Sequence, residues 1–151
     1  MSPAVQTPAF AQWLAGARQA AQQPPAQPRT PLVVAGHRVG SVAAGVLDEM
    51  GRKRLLDKRE QLSFQERKGA FAWYLPVPDA EVTPALNALA AALRQVGRCG
   101  PWRDEQLAVT NAQGAVVGTV ERGAVRVLGI ATRAVHLVGL APDGRMWVQR
   151  R

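Results

Sequence analysis

The stretch TPALNALAAALRQVG, residues 83–97, most limits what this chain can become. Leu86, Leu89, Leu93 and Val96 recur at intervals of three and four, which lines one side of an α-helix with apolar groups. Thr83 stands where a cap would satisfy the first free N–H groups, Pro84 suits the opening turn, and Gly97 is placed to end the helix. A helix with one apolar stripe must bury it, and strand-like segments on either side offer a sheet as its partner.

Those segments are legible one by one. PLVVAGHRVGSV, residues 31–42, reads as a strand, a turn and a second strand, from its β-branched content and the glycines at 36 and 40. AFAWYLPV, residues 70–77, reads as a strand stopped by Pro76 and Pro78. After a loop around Cys99, Gly100 and Pro101, QLAVT and AVVGTV are joined by NAQG in a hairpin. Residues 121–129 predict a short helix ending at Gly129, and residues 43–52 a brief one. KRLLDKREQLSFQERKG carries most of the mixed charge and is expected at the surface. Hairpins mixed with separate helices predict an α+β fold, with a small mixed, largely antiparallel sheet and packed helices. No repeat of fixed period runs through the chain, which argues against a solenoid.

Both ends differ from this middle. Thr7, Pro8, Phe10, Trp13, Leu14, Ala17 and Ala21 have the spacing of an amphipathic helix. It runs into QQPPAQPR, residues 22–29, whose adjacent prolines end it and favour an extended linker. Residues 1–29 are therefore expected to be an accessory helix and tether. At the other end, TRAVHLVGLAPDGRMWVQRR, residues 132–151, holds two apolar runs around an Ala-Pro-Asp-Gly turn at 141–144. Its strands would be Arg133 to Leu140 and Arg145 to Arg150.

With 151 residues, 47% apolar and 20% charged, the chain can bury a core. Nineteen Lys and Arg against eleven Asp and Glu give +8, which steers phosphate-bearing partners toward it. Cys99 is the only cysteine, so no intrachain disulfide can form, and a reducing compartment fits. The apolar runs fall short of the ~20 residues a membrane helix needs. The N-terminus lacks a basic region followed by an apolar one, so a cytoplasmic, soluble protein is expected, with no membrane partner.

The usual catalytic signatures are absent. Cys99, His37 and His136 lie far apart, so no zinc ligand set is expected. Ser2, Ser41 and Ser63 are the serines, and none lies in G-x-S-x-G. Neither G-x-G-x-x-G nor a Walker A loop occurs, and Gly36 and Gly40 bracketing HRV read as turn glycines. His136 reads as a sheet-face histidine, and Trp73 and Trp147 as packing residues in their strands. The run at 48–60 interleaves Asp48, Glu49, Asp57 and Glu60 with its bases, the pattern of a solvated face. Arg145, Arg150 and Arg151 fall within the last seven residues with no acid among them, and guanidinium forks suit phosphate oxygens.

WRDEQLAV, VGTVERGAVRVLGI and TRAVHLVGLAPDGRMWVQRR together resemble the stretch that joins an accessory N-terminal domain (DUF4743) to a Nudix hydrolase domain, in Nudix proteins related to thiamine pyrophosphokinase. PLVVAGHRVGSV resembles that family's opening strand pair, and TPALNALAAALRQVG its helix, so the resemblance spans about residues 31–151. It implies three regions: helix and linker at 1–29, a DUF4743-like domain at 30–129, and the first hairpin of a truncated Nudix domain at 130–151. A complete relative carries the box G-x5-E-x7-R-E-U-x-E-E-x-G-U, whose glutamates hold Mg2+ or Mn2+ for diphosphate hydrolysis. This chain has no such box: Arg103-Asp104-Glu105 and Gln65-Glu66-Arg67 lack its glutamate pair and spacing.

The resemblance thus implies a substrate-shaping region with no catalytic or metal-binding residue of its own. The complete protein would act on a nucleotide-like molecule, thiamine diphosphate or a damaged form of it. Isoprenoid-diphosphate isomerases share the Nudix fold, and in them an arginine before S-x-x-K contacts the diphosphate. Arg151 stands at the similar position, with Arg150 beside it, and both are the expected phosphate-binding residues. A last hairpin without neighbouring strands would expose an edge, which invites a homodimer. The alternatives are a stand-alone, non-enzymatic binding or interaction module and, last, a basic nucleic-acid binder, for which no recognised binding motif is present.

Overall fold

Two tight hairpins turn on pairs of residues with positive φ, and they build the sheet. Strand β1 (Arg29–Val34) turns through Ala35 and Gly36 into β2 (His37–Ala43). Strand β3 (Ser63–Arg67) turns through Lys68 and Gly69 into β4 (Ala70–Leu75). The φ angles are 50° and 79° in the first turn and 53° and 76° in the second. Two consecutive positive values match the twist of antiparallel strands, and glycine occupies the second place in both. The computed structural model describes residues 8–22, 27–48, 62–133, 139, 141–143 and 145.

The hairpins join side by side. Strands β1 and β4 pair in parallel, Leu32 opposite Trp73 and Val34 opposite Leu75, giving a four-stranded sheet of order β2-β1-β4-β3. A separate antiparallel hairpin, β5 (Gln106–Thr110) and β6 (Val116–Glu121), closes over Asn111, whose Oδ1 accepts from the N–H groups of Gln113 and Ala115. Three helices complete the described elements: α1 (Pro8–Ala21), α2 (Val82–Gln95) and α3 (Arg122–Leu128). The fold is α+β, with a mixed sheet and largely antiparallel pairing.

The expected helix is α2, and its stripe is buried: Leu86, Leu89 and Leu93 are fully covered, with Val82, Ala85, Ala90 and Ala92 beside them. Each such leucine contributes about 1.5–3 kcal/mol on burial. They belong to one core with Leu32, Val34 and Leu75 of the sheet, Val109 and Val120 of the second hairpin, and Leu128 of α3. Gly97, at φ 71°, ends α2, and the Arg98 N–H reaches back to the Leu93 carbonyl at 2.9 Å. Gly129, at φ 58°, ends α3 in the same manner, with the Ile130 N–H on the Val125 carbonyl at 3.0 Å. Arg29 clamps that helix end to β2, donating to the side chain and carbonyl of Ser41 and to the Val127 carbonyl.

Two expectations need correction. Thr83 is not the cap of α2: the helix begins at Val82, out of a 3-10 turn at Asp79–Glu81, and its cap position makes no side-chain hydrogen bond. The Thr83 hydroxyl instead accepts the Thr119 N–H at 3.0 Å, because the outer edge of β6 has donors that no strand among the described residues satisfies. One turn on, Asn87 Oδ1 accepts the Glu121 N–H at 3.0 Å. Two side chains of α2 thus stand in for a missing strand. The second concerns β3: the charged run is largely exposed at its end, as expected, but that end also forms an edge strand. Phe64 sits opposite Trp73, and cross-strand aromatic pairs stabilise a hairpin even at its wet edge.

Residues 44–47 form a turn that places Leu47 in the core, and the rest of the brief helix expected at 43–52 lies almost wholly outside the described residues. Of the turn expected at 141–144, residues 141–143 are described, and the Ala141 N–H meets the Arg145 carbonyl at 2.8 Å. The strands flanking it, His136 and Trp147 lie outside the described residues.

Candidate functional site

On the sheet face turned away from α2, side chains of all four strands surround a groove of about 340 Å3. The cross-strand register explains its lining. Arg38 of β2 lies opposite Val33 of β1, Val33 pairs with Tyr74 of β4, and Tyr74 pairs with Ser63 of β3. Residues at these positions share one face, because side chains alternate along each strand. Arg67 belongs to that face too, four residues after Ser63, and Lys68 follows it in the turn.

Arg67 is held in place. Gln65 Oε1 accepts from its Nε at 3.1 Å and from its terminal nitrogen at 2.8 Å, and Gln65 in turn donates to the Ser63 hydroxyl at 2.7 Å. The guanidinium carbon lies 4.2 Å from the centre of the Tyr74 ring, a cation–π contact that fixes its plane. Arg38 and Lys68 have no carboxylate partner among the described residues. Three cations and a phenol therefore converge with no counter-charge in the lining. The volume suits a small molecule.

No protein-family model matches the chain, and no curated protein matches it. Guanidinium groups bind phosphate oxygens through paired N–H donors, and a lysine adds a point charge. The lining includes no carboxylate, imidazole or thiol to accept a proton or attack. Such a surface can hold and orient an anion.

Of the phosphate-binding residues expected from the sequence, Arg150 and Arg151 lie outside the described residues. Arg145 is paired within its own turn: Asp143 Oδ2 accepts from its Nε at 2.6 Å. The potential ligands His37 and Cys99 are not brought together. His37 Nε2 faces Asp79 at 3.3 Å, while Cys99 lies half-buried near Glu121 and Arg94. Among the described residues no three His, Cys, Asp or Glu side chains gather, and no helix is long and apolar enough to cross a membrane. The sequence reading missed Arg38, Arg67, Lys68 and Tyr74. The available signal was the position of the three cations within two residues of the turn glycines, Gly36 and Gly69.

Proposed function

We propose that the chain is the accessory, substrate-shaping region of a Nudix-family diphosphate hydrolase, and that it captures the phosphate groups of the substrate in the groove of Arg38, Arg67 and Lys68. The resemblance of residues 31–151 to the DUF4743–Nudix junction supports the family. The observation that carries the role is the convergence of unopposed cations on Tyr74, with Arg67 already oriented by Gln65. Pre-orienting the Arg67 guanidinium reduces the entropy lost on binding, and a second fork at Arg38 with the Lys68 charge favours a diphosphate over a singly charged anion. Hydrolysis in this reading belongs to Mg2+ or Mn2+ held by a Nudix box, which these residues do not contain, and the substrate class is thiamine diphosphate or a related diphosphate.

Calorimetric titration of the full chain with inorganic pyrophosphate and with thiamine diphosphate tests this reading. Saturable binding is expected, weakened about tenfold by Arg67→Ala and weakened further as salt is raised. With Mg2+ present, turnover should not exceed the metal-only blank. Turnover by the chain alone, or affinity indifferent to Arg38 and Arg67, rejects the proposal. A stand-alone interaction module is the second reading, favoured by the exposed aromatic side chains Phe64 and Phe71.

A further inference from the structure

The face of the sheet opposite the groove is the core face, and it extends past the core. Leu32 is fully buried, its neighbour Trp73 is half-buried, and Phe64 beyond it is 50% exposed, with Phe71 at 54%. Phe64 stacks on Phe71 at 5.3 Å between ring centres and meets Trp73 at the same 5.3 Å. This is an ordered aromatic surface on an edge hairpin, continuous with the hydrophobic core.

The N-terminal helix has the matching deficit. None of the 14 residues of α1 is buried, although Phe10, Trp13, Leu14 and Ala17 form an apolar stripe, and Trp13 is 65% exposed. Phe10 and Trp13 stack at 5.8 Å, which presents their rings as one plate. Helices of about 12–15 residues are marginal in water unless they pack on something. The charges also complement. Arg18 is the only charged residue of α1, and Glu66, opposite Phe71 on the aromatic face, has no partner among the described residues.

We propose that two copies of the chain exchange their N-terminal helices, α1 of each seating Trp13 on the Phe64–Phe71–Trp73 surface of the other with Arg18 against Glu66. Both halves of the contact are on one chain, and Trp13, Phe64 and Phe71 each remain half or more exposed in it, so a second copy can cover them. Reciprocal exchange is closed by a two-fold axis and makes the same contact twice, which is how a short helix reaches the ~1,200 Å2 of a stable interface. The linker sequence, with Pro24, Pro25 and Pro28, favours an extended spacer over a hairpin back onto the same sheet.

Sedimentation of the full chain over a range of concentrations is the test, with tryptophan emission as a second signal. A dimer is expected, with Trp13 emission shifting to the blue as it forms. Trp13→Ala and Phe71→Ser, at exposed positions that leave the circular dichroism unchanged, should each weaken dimerisation about a hundredfold, because each removes both copies of the contact. Arg18→Glu and Glu66→Arg should weaken it separately and restore it when combined. A chain that stays monomeric overturns the proposal, whether Trp13 is then exposed or buried. So does a dimer that tolerates Trp13→Ala and Phe71→Ser, or one that the double charge reversal fails to restore.

Discussion

The molecule treats polar groups in two opposite ways. Where β6 leads into α3, Glu121 is buried, 1% exposed, yet its carboxylate accepts the N–H groups of Arg103 at 2.8 Å and of Glu105 and Gly123 at 3.2 Å. Asn87 beside it donates to the Thr83 and Thr119 carbonyls and accepts from the Glu121 N–H and the Gln106 amide. No buried side-chain nitrogen or oxygen among the described residues lacks a partner. On the outer sheet face, Arg38 and Lys68 are exposed and meet no carboxylate among the described residues. The seam has used its polar capacity on itself, and the groove has kept its own for a ligand. The first should therefore govern stability and the second binding.

The sharpest way to break that division is at Glu121. Glu121→Ala leaves three backbone donors without their acceptor and removes the side-chain cap of α3. At about 1 kcal/mol or more for each orphaned donor, the loss is expected to exceed ~3 kcal/mol, enough to unfold a marginal domain. Urea denaturation followed by circular dichroism reads it directly, and a midpoint within error of the parent would end the claim that this seam holds the fold. Asn87→Ala should follow at ~2 kcal/mol, since the Glu121 N–H loses its partner but α2 keeps its apolar stripe.

In the groove the ranking inverts. Arg38→Ala removes an exposed side chain with no protein partner, so stability should move by less than ~0.5 kcal/mol. Pyrophosphate affinity should nevertheless fall about tenfold, as expected for one charge-assisted contact. A variant that loses stability and affinity together would show that the groove and the seam are not separate in kind.

How far the sequence discloses these regions follows from the range of the interactions. The stripe of α2, the turn at Asn111, and the helix ends at Gly97 and Gly129 depend on neighbours within about five residues, and all were legible. The roles of Thr83 and Asn87 were not, because the bare edge of β6 lies more than thirty residues away. The groove was hidden for the same reason: it exists because β1 and β4 pair in parallel, joining Arg38 and Arg67 across two hairpins. Two of the three stretches that carry the Nudix-related resemblance, WRDEQLAV and VGTVERGAVRVLGI, meet at Glu121, which accepts from the backbone N–H groups of Arg103, Glu105 and Gly123. Of their residues, the buried carboxylate of Glu121 is the one whose identity this seam requires, since its partners are backbone N–H groups.

The smallest expected effect lies at the border of the seam, on Cys99. Burial raises its thiol pKa above the ordinary value, and the negative charge of Glu121 raises it further, against smaller opposing contributions from Arg94 and the Gly100 N–H. The folded state therefore keeps the proton at a pH where the unfolded chain has released it. By linkage, this contribution to stability is complete below the thiol's ordinary pKa and is lost as pH rises through the folded-state value. Alkylation by iodoacetamide, followed against pH, should show thiolate appearing later than in the urea-unfolded chain. Glu121→Gln, which keeps most of the side chain's shape but removes its charge, should bring the midpoint part of the way back, because desolvation is the larger cause and remains. A midpoint in the folded chain at or below that of the unfolded one would overturn the burial of Cys99 beside Glu121, because both of those influences act in the same direction.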